Sequence, residues 1–158
     1  MARWSDLERE APDIARDGRG LIYQYGVGLG FLATKREDGG LRLHPFCPIV
    51  TDGGIFGRII DSPKRRDLAA NGTFAIHAHQ PEDRDDEFML AGQEVRVLDD
   101  PAEIERIAEV YHATGAVSSG DEWTFEFLFD RAWLALYEKR EPGKAWTPPR
   151  TFHWQAKG

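Results

Sequence analysis

Two glycine-rich turns, Arg36-Glu37-Asp38-Gly39-Gly40 and Thr51-Asp52-Gly53-Gly54, are separated by residues 41–50 alone. Asp-Gly supplies positive φ cheaply and is a strong short-range hairpin signal. Between the turns, Leu41 to Val50 alternates as a strand does. Its two prolines, Pro45 and Pro48, place it at a sheet edge or beside a bulge, because proline cannot donate to a ladder. With residues 27–34 before the first turn and 55–60 after the second, the chain reads as three consecutive antiparallel strands.

The rest of the chain adds strands and a few short helices. Residues 5–18 carry Leu7, Ala11, Ile14 and Ala15 on one side, an amphipathic helix broken or restarted at Pro12. Residues 73–79 and 87–98 read as two further strands. A clear helix follows, with Asp100 as N-cap, Pro101 at its first position and Glu103 completing a capping-box-like pattern. Ile104, Ile107, Ala108 and Tyr111 form its apolar stripe, and Gly115 ends it. Residues 123–138 return to alternating aromatics, expected to serve core and subunit contact, and the tail is rich in proline and aromatic residues. The run Pro81–Phe88 is expected to be a solvated loop. The expected fold class is mainly β with inserted helices: a six-stranded antiparallel split β-barrel with short flanking helices.

Charge limits the partners. The formal net charge of -7 argues against general nucleic-acid binding, where phosphate neutralisation dominates affinity. With one cysteine, Cys47, no intrachain disulfide or cysteine-based zinc cage can form, and Cys47 is expected to be a small packed side chain. The first twenty residues hold no apolar signal core, and no long apolar stretch occurs. A cytoplasmic, soluble protein of one domain, residues 1–158, with no membrane partner, is expected.

Against this acidic background, Asp61-Ser62-Pro63-Lys64-Arg65-Arg66-Asp67 gathers three cations at a helix start. Ser62 can cap that helix and Pro63 fits its first turn. Free backbone N–H groups, the helix dipole, a hydroxyl and a cation together make a ready phosphate seat. The plainer reading is a solvated surface helix, although helix starts favour acidic residues. His77 and His79 share one strand face and could ligate a metal or a haem iron. No third ligand stands at matching spacing, so two surface histidines and no metal site are expected. His112 is expected at the surface of its helix. Gly26-Val27-Gly28-Leu29-Gly30 lacks the glycine spacing and following helix of a dinucleotide fingerprint.

From about Gly20 to Leu98 the chain resembles the pyridoxamine 5'-phosphate oxidase-like family of flavin-binding split barrels. Four stretches carry the resemblance: GFLATKREDGGLRLHP, GIFGRIIDSPKRRDLAANG, TFAIHAH and EFMLAGQEVRV. In that family a Ser-x-Lys turn grips the 5'-phosphate of FMN ahead of a helix patterned x-Leu-x-x-Asn. Ser62, Lys64, Leu68 and Asn71 match in type and spacing. The resemblance further implies cofactor contacts at Arg42, Leu43, His44 and Pro45, at Arg58 where the third strand meets the phosphate, and at Arg65. It implies homodimers with FMN at the subunit interface, and so an FMN-dependent oxidoreductase acting on a small organic substrate. A deazaflavin reductase is the alternative within the fold, its anionic tail suiting Lys35, Arg36, Arg65 and Arg66. A non-catalytic flavin- or haem-binding protein is another. The chain departs from the family at Cys47, where its oxidases usually carry lysine, and in the tail TPPRTFHWQAKG. The resemblance therefore implies the flavin fold without vitamin B6 oxidase activity.

Overall fold

The computed structural model describes residues 1–158. Two helices, α1 (Trp4–Glu10) and α2 (Pro12–Ile22), lead into β1 (Gly30–Lys35), β2 (Leu41–Phe46), β3 (Ile49–Thr51) and β4 (Gly54–Ile59). Then come α3 (Pro63–Asn71), β5 (Phe74–Ala78), β6 (Glu87–Gly92), β7 (Glu94–Val97) and α4 (Pro101–Ala113). The chain ends with β8 (Trp123–Leu128), β9 (Arg131–Leu136) and β10 (Arg150–Gln155). Six strands form one sheet in the order β10-β9-β6-β5-β1-β2, and four form a second in the order β3-β4-β8-β7. Every strand pairing is antiparallel. Both glycine turns are hairpins. Asp52 and Gly53 have φ of 49° and 69°, the two positive values that a tight two-residue turn requires.

The strand count exceeds six because three stretches of unbroken apolar alternation are each two strands. The chain changes sheets at Cys47-Pro48, at Gln93 and at Phe129-Asp130. At the first corner Pro48 removes a ladder donor, and β2 gives way to β3. At the second, the backbones crowd: a Cβ on Gly92 would stand 2.3 Å from the Leu128 carbonyl oxygen. These corners fold the two sheets face to face as a split barrel rather than a closed one. Between them, Phe127 packs edge-on against Phe74 and Phe46, at ring separations of 4.9 and 6.0 Å. Leu32, Ile76, Leu90 and Phe125 complete the same buried cluster. The tail, which alternation alone did not single out, supplies β10 and pairs with β9.

The helices seal the open ends. Trp4 and Leu7 of α1 and Ile14, Leu21 and Ile22 of α2 are buried in the main core. Asp100 caps α4, accepting the Ala102 N–H at 3.1 Å. Glu103 makes no capping box; its carboxylate takes both arms of Arg96 at 2.7 and 3.0 Å. The stronger partner wins because a bidentate guanidinium pair outcompetes a single backbone N–H. Ile107 of α4 packs with Ile49, Phe56 and Leu98 on the outer side of the four-stranded sheet. Beneath it lies Glu126, buried between Arg3 and Arg96 at 2.6 and 2.8 Å. No helix is long and apolar enough to cross a membrane.

Candidate functional site

Helix α3 begins at Pro63, with Ser62 in extended conformation as its N-cap residue. The Ser62 hydroxyl does not close the helix; it donates to the Ile60 carbonyl at 3.0 Å. The Arg65 and Arg66 amides both reach the Ser62 carbonyl, the opening backbone bonds of the helix. Lys64 follows in the first turn. It forms no ion pair, and partial burial lowers its pKa from the usual lysine value. Beside it stands His44 of β2, whose Nε2 is buried without a hydrogen-bond partner. Desolvation, then the charges of Lys64 and Arg42, hold the imidazole below its ordinary pKa. Arg42, two residues earlier on the same strand face, is already occupied: its Nε donates to Asp67 at 2.9 Å. Asp67 also accepts the Thr34 hydroxyl at 2.9 Å. Burial raises the Asp67 pKa, but the hydrogen bonds from Arg42 and Thr34 outweigh it and leave the carboxyl below the usual range.

The other residues singled out by sequence lie in different directions. Leu43 and Pro45 alternate with His44 and face out from the six-stranded sheet, both exposed. Their strand, β2, is the edge of that sheet, so one side of its backbone lacks a ladder partner. Arg58 of β4 lies under α4, its guanidinium 5.6 Å from the Tyr111 ring centre. It donates to the Ser118 hydroxyl at 2.6 Å and approaches Glu122 at 3.6 Å. Arg65 lies over Trp123 at 4.8 Å, pairs with Asp61 at 3.0 Å and donates to the Asp121 carbonyl at 3.0 Å. The structure thus groups Arg42, His44, Lys64 and Asp67 in one place. Arg58 and Arg65 share another, along the segment before β8. Among the cations expected for a deazaflavin tail, Arg36 pairs with Asp38 and Arg66 with Asp61, while Lys35 makes no ion pair.

The alternate face of the six-stranded sheet carries a row of side chains in cross-strand register. It runs Pro45, Phe31, His77, Met89, Trp133, His153 across all six strands. His77 lies 3.5 Å from Glu87, a carboxylate neighbour that the sequence spacing did not reveal. His79 stacks on Phe31 with ring centres 5.7 Å apart. His112 is at the helix surface and meets the Ser118 hydroxyl at 2.8 Å. Cys47 is half-buried, and desolvation raises its thiol pKa.

No protein-family model matches this chain, and neither does any curated protein. Solved structures do. A Listeria innocua protein proposed to be a pyridoxamine 5'-phosphate oxidase superposes with a TM-score of 0.59 and 11% identity, over 74% of this chain and 94% of that one. A NimC/NimA family protein from Clostridium acetobutylicum matches at 0.56 with 18% identity, over 86% and 90%. This chain has the pyridoxamine 5'-phosphate oxidase-like split-barrel fold. The same split barrel underlies a heme-binding protein from Mycobacterium smegmatis, with a TM-score of 0.61 and 14% identity over 87% of this chain. This chain spans 57% of that protein's length. Identities this low establish a shared fold for the split barrel and leave its ligand to be argued from its own residues.

Proposed function

We propose that this split barrel, residues 1–158, binds FMN and acts as an oxidoreductase on a small organic substrate. One observation carries the reading: Lys64 and the buried Nε2 of His44 stand together without protein partners at the start of α3, in a chain of net charge -7. Buried polar groups are nearly always satisfied, so an orphaned nitrogen beside an unpaired ammonium supports an anionic ligand between them. The phosphate of FMN fits that chemistry. Lys64, Ser62 and the amide end of α3 would hold it, with Arg42 shared between phosphate and Asp67. Arg58 of β4 and Arg65 of α3 would reach it only by giving up their contacts with Ser118 and Asp121 in the segment before β8. The open edge of β2, at Leu43 to Pro45, would supply backbone groups to the flavin ring. Bound flavin supplies hydride and electron transfer; the chain binds, orients and shields it. The exposed Leu43 and Pro45 favour a homodimer in which this edge meets a second copy, with the cofactor at the junction.

A visible spectrum of the purified protein, followed by FMN titration, tests the reading. Flavin absorption and saturable binding are expected, with Lys64→Ala weakening FMN at least tenfold, about 1.4 kcal/mol. Unchanged affinity in that variant removes the phosphate from α3.

A second reading is supported by the sheet-face row around His77. Phe31, Met89 and Trp133 flank it as an apolar surface, and a split barrel of the same fold binds heme. In this reading the protein holds haem without catalysis, with His77 as ligand. It requires a Soret band that disappears in His77→Ala.

A further inference from the structure

The segment between α4 and β8 sits on two arginines, and the way it does so is unusual. The Arg58 side chain is 10% exposed, yet its Nε has no hydrogen-bond partner. Its Nη1 donates to the Ser118 hydroxyl at 2.6 Å. Its Nη2 lies 3.6 Å from a Glu122 oxygen, too far for a hydrogen bond. Charge-assisted pairs close to about 2.7–2.9 Å when nothing prevents it. Glu122 is prevented by its own segment: the Ser119 and Gly120 amides donate to its carboxylate, as does the Ser119 hydroxyl at 3.3 Å. Burial raises the Glu122 pKa, but these amides and the Arg58 charge prevail and keep it ionised. One residue earlier, the Asp121 carbonyl accepts from Arg65 at 3.0 Å. A 4%-exposed carboxylate therefore faces a buried guanidinium that still has donors to give.

We infer that residues 114–122 are a phosphate-selective gate, with Glu122 standing in for a ligand's phosphate at Arg58 and yielding to it. The inference rests on the FMN reading above and adds what selects the ligand. A phosphate brings three acceptor oxygens and about two charges, so it can engage the free Arg58 donors that one tethered carboxylate cannot. Riboflavin has no such group and leaves the gate shut. Gly115 and Gly120, both at φ 89°, bracket the moving part, and nothing lies within 4 Å of where their Cβ atoms would be. Opening the gate subtracts from the binding of a ligand that places a phosphate at Arg58 and costs nothing to one that leaves the gate shut.

The test compares wild type, Glu122→Gln and Ser118→Ala. FMN and riboflavin affinities are read from flavin fluorescence, and amide exchange is followed over residues 114–122. Glu122→Gln is expected to bind FMN about tenfold more tightly with riboflavin affinity unchanged. Ser118→Ala is expected to move the same way by a smaller factor, which guards against a variant that merely misfolds. FMN is expected to speed exchange across 114–122 in wild type. Equal FMN affinity in all three proteins, with exchange unmoved by FMN, makes the segment a fixed clamp and overturns the inference. If no protein binds any flavin, the FMN reading falls by itself. The gate is then judged with inorganic pyrophosphate: faster exchange over 114–122 upholds it, and unmoved exchange overturns it.

Discussion

Asp67 ties α3 to β2, its carboxylate accepting from Arg42 at 2.9 Å. Its folded pKa lies below the unfolded value, because Arg42 and Thr34 stabilise the ionised form more than burial penalises it. A depressed carboxyl contributes stability above its unfolded pKa, and that contribution is lost as pH falls through the folded value. Asp67→Asn is expected to cost about 1–3 kcal/mol at pH 7 by leaving Arg42 unpaired. In denaturant melts, the gap between wild type and variant should close below about pH 4, where unfolded aspartate protonates. A gap that stays constant into acid would mean the charge contributes nothing. His44 gives the complementary signal. Desolvation and its two cationic neighbours keep it neutral. An anion seated among them must raise its pKa, so an imidazole titration by NMR should shift upward when FMN or phosphate is added. An unmoved His44 would place the anion elsewhere. The part of this site that sequence shows is the local part: Ser62, Lys64 and Arg65 fall within one turn of a helix start. The pairings of Arg42 with Asp67 and Arg58 with Glu122 join residues from different elements. No spacing rule links such partners, so these arginines read as free cations until the fold brings the carboxylates in.

Among the elements, the corners carry the fold more than the strands do. Gly92 ends β6 where the chain turns into the other sheet, and a methyl group there meets the Leu128 carbonyl oxygen at 2.3 Å and the Phe129 Cα at 2.9 Å. Both are backbone atoms and cannot rotate aside. Gly92→Ala is expected to lower stability by about 1–3 kcal/mol through overpacking. Gly20 is the contrast: it is exposed on α2, and nothing lies within 4 Å of its missing Cβ. Gly20→Ala should raise stability by about 0.4–1 kcal/mol, since alanine narrows the unfolded ensemble and favours helix. Opposite signs in paired denaturation curves are the check; like signs refute the corner argument. The same corners explain which elements sequence reveals. Alternation marks where side chains point and continues through a bend, so Leu41 to Val50 and Glu87 to Leu98 each look like one strand. Only Pro48 and Gly92 hint at the breaks. The hairpins at residues 36–40 and 51–54 are legible because turn chemistry is local. β10 is hidden by a proline-rich approach, and its pairing with β9 is set by the barrel around it.

At the scale of the molecule, one surface is left unfinished. β2 is an edge strand on which Leu41 is 80% and Leu43 66% exposed. Beside Leu43 in register stand Ala33, Ala75 and Ala91, and beside Pro45 stand Phe31, His77 and Met89. This is a half-exposed apolar band running from an open edge into the sheet face, with Lys35, Glu87 and Arg131 at its margins. Isolated surface leucines are ordinary, but a contiguous apolar patch beside an unpaired strand edge invites association and is normally covered. A second copy related by a two-fold axis would cover it with the same patch, bringing two β2 edges and two α3 seats into one assembly. Sedimentation of wild type should therefore report a dimer. Leu43→Glu, a charge placed in the middle of the band, should shift the protein to monomer at micromolar concentration while its far-UV spectrum stays unchanged. FMN binding separates two versions of the site. If the monomeric variant loses FMN with α3 intact, the cofactor needs both copies. If it keeps FMN at wild-type affinity, Lys64, His44 and their neighbours suffice within one chain, and the covered face serves assembly alone.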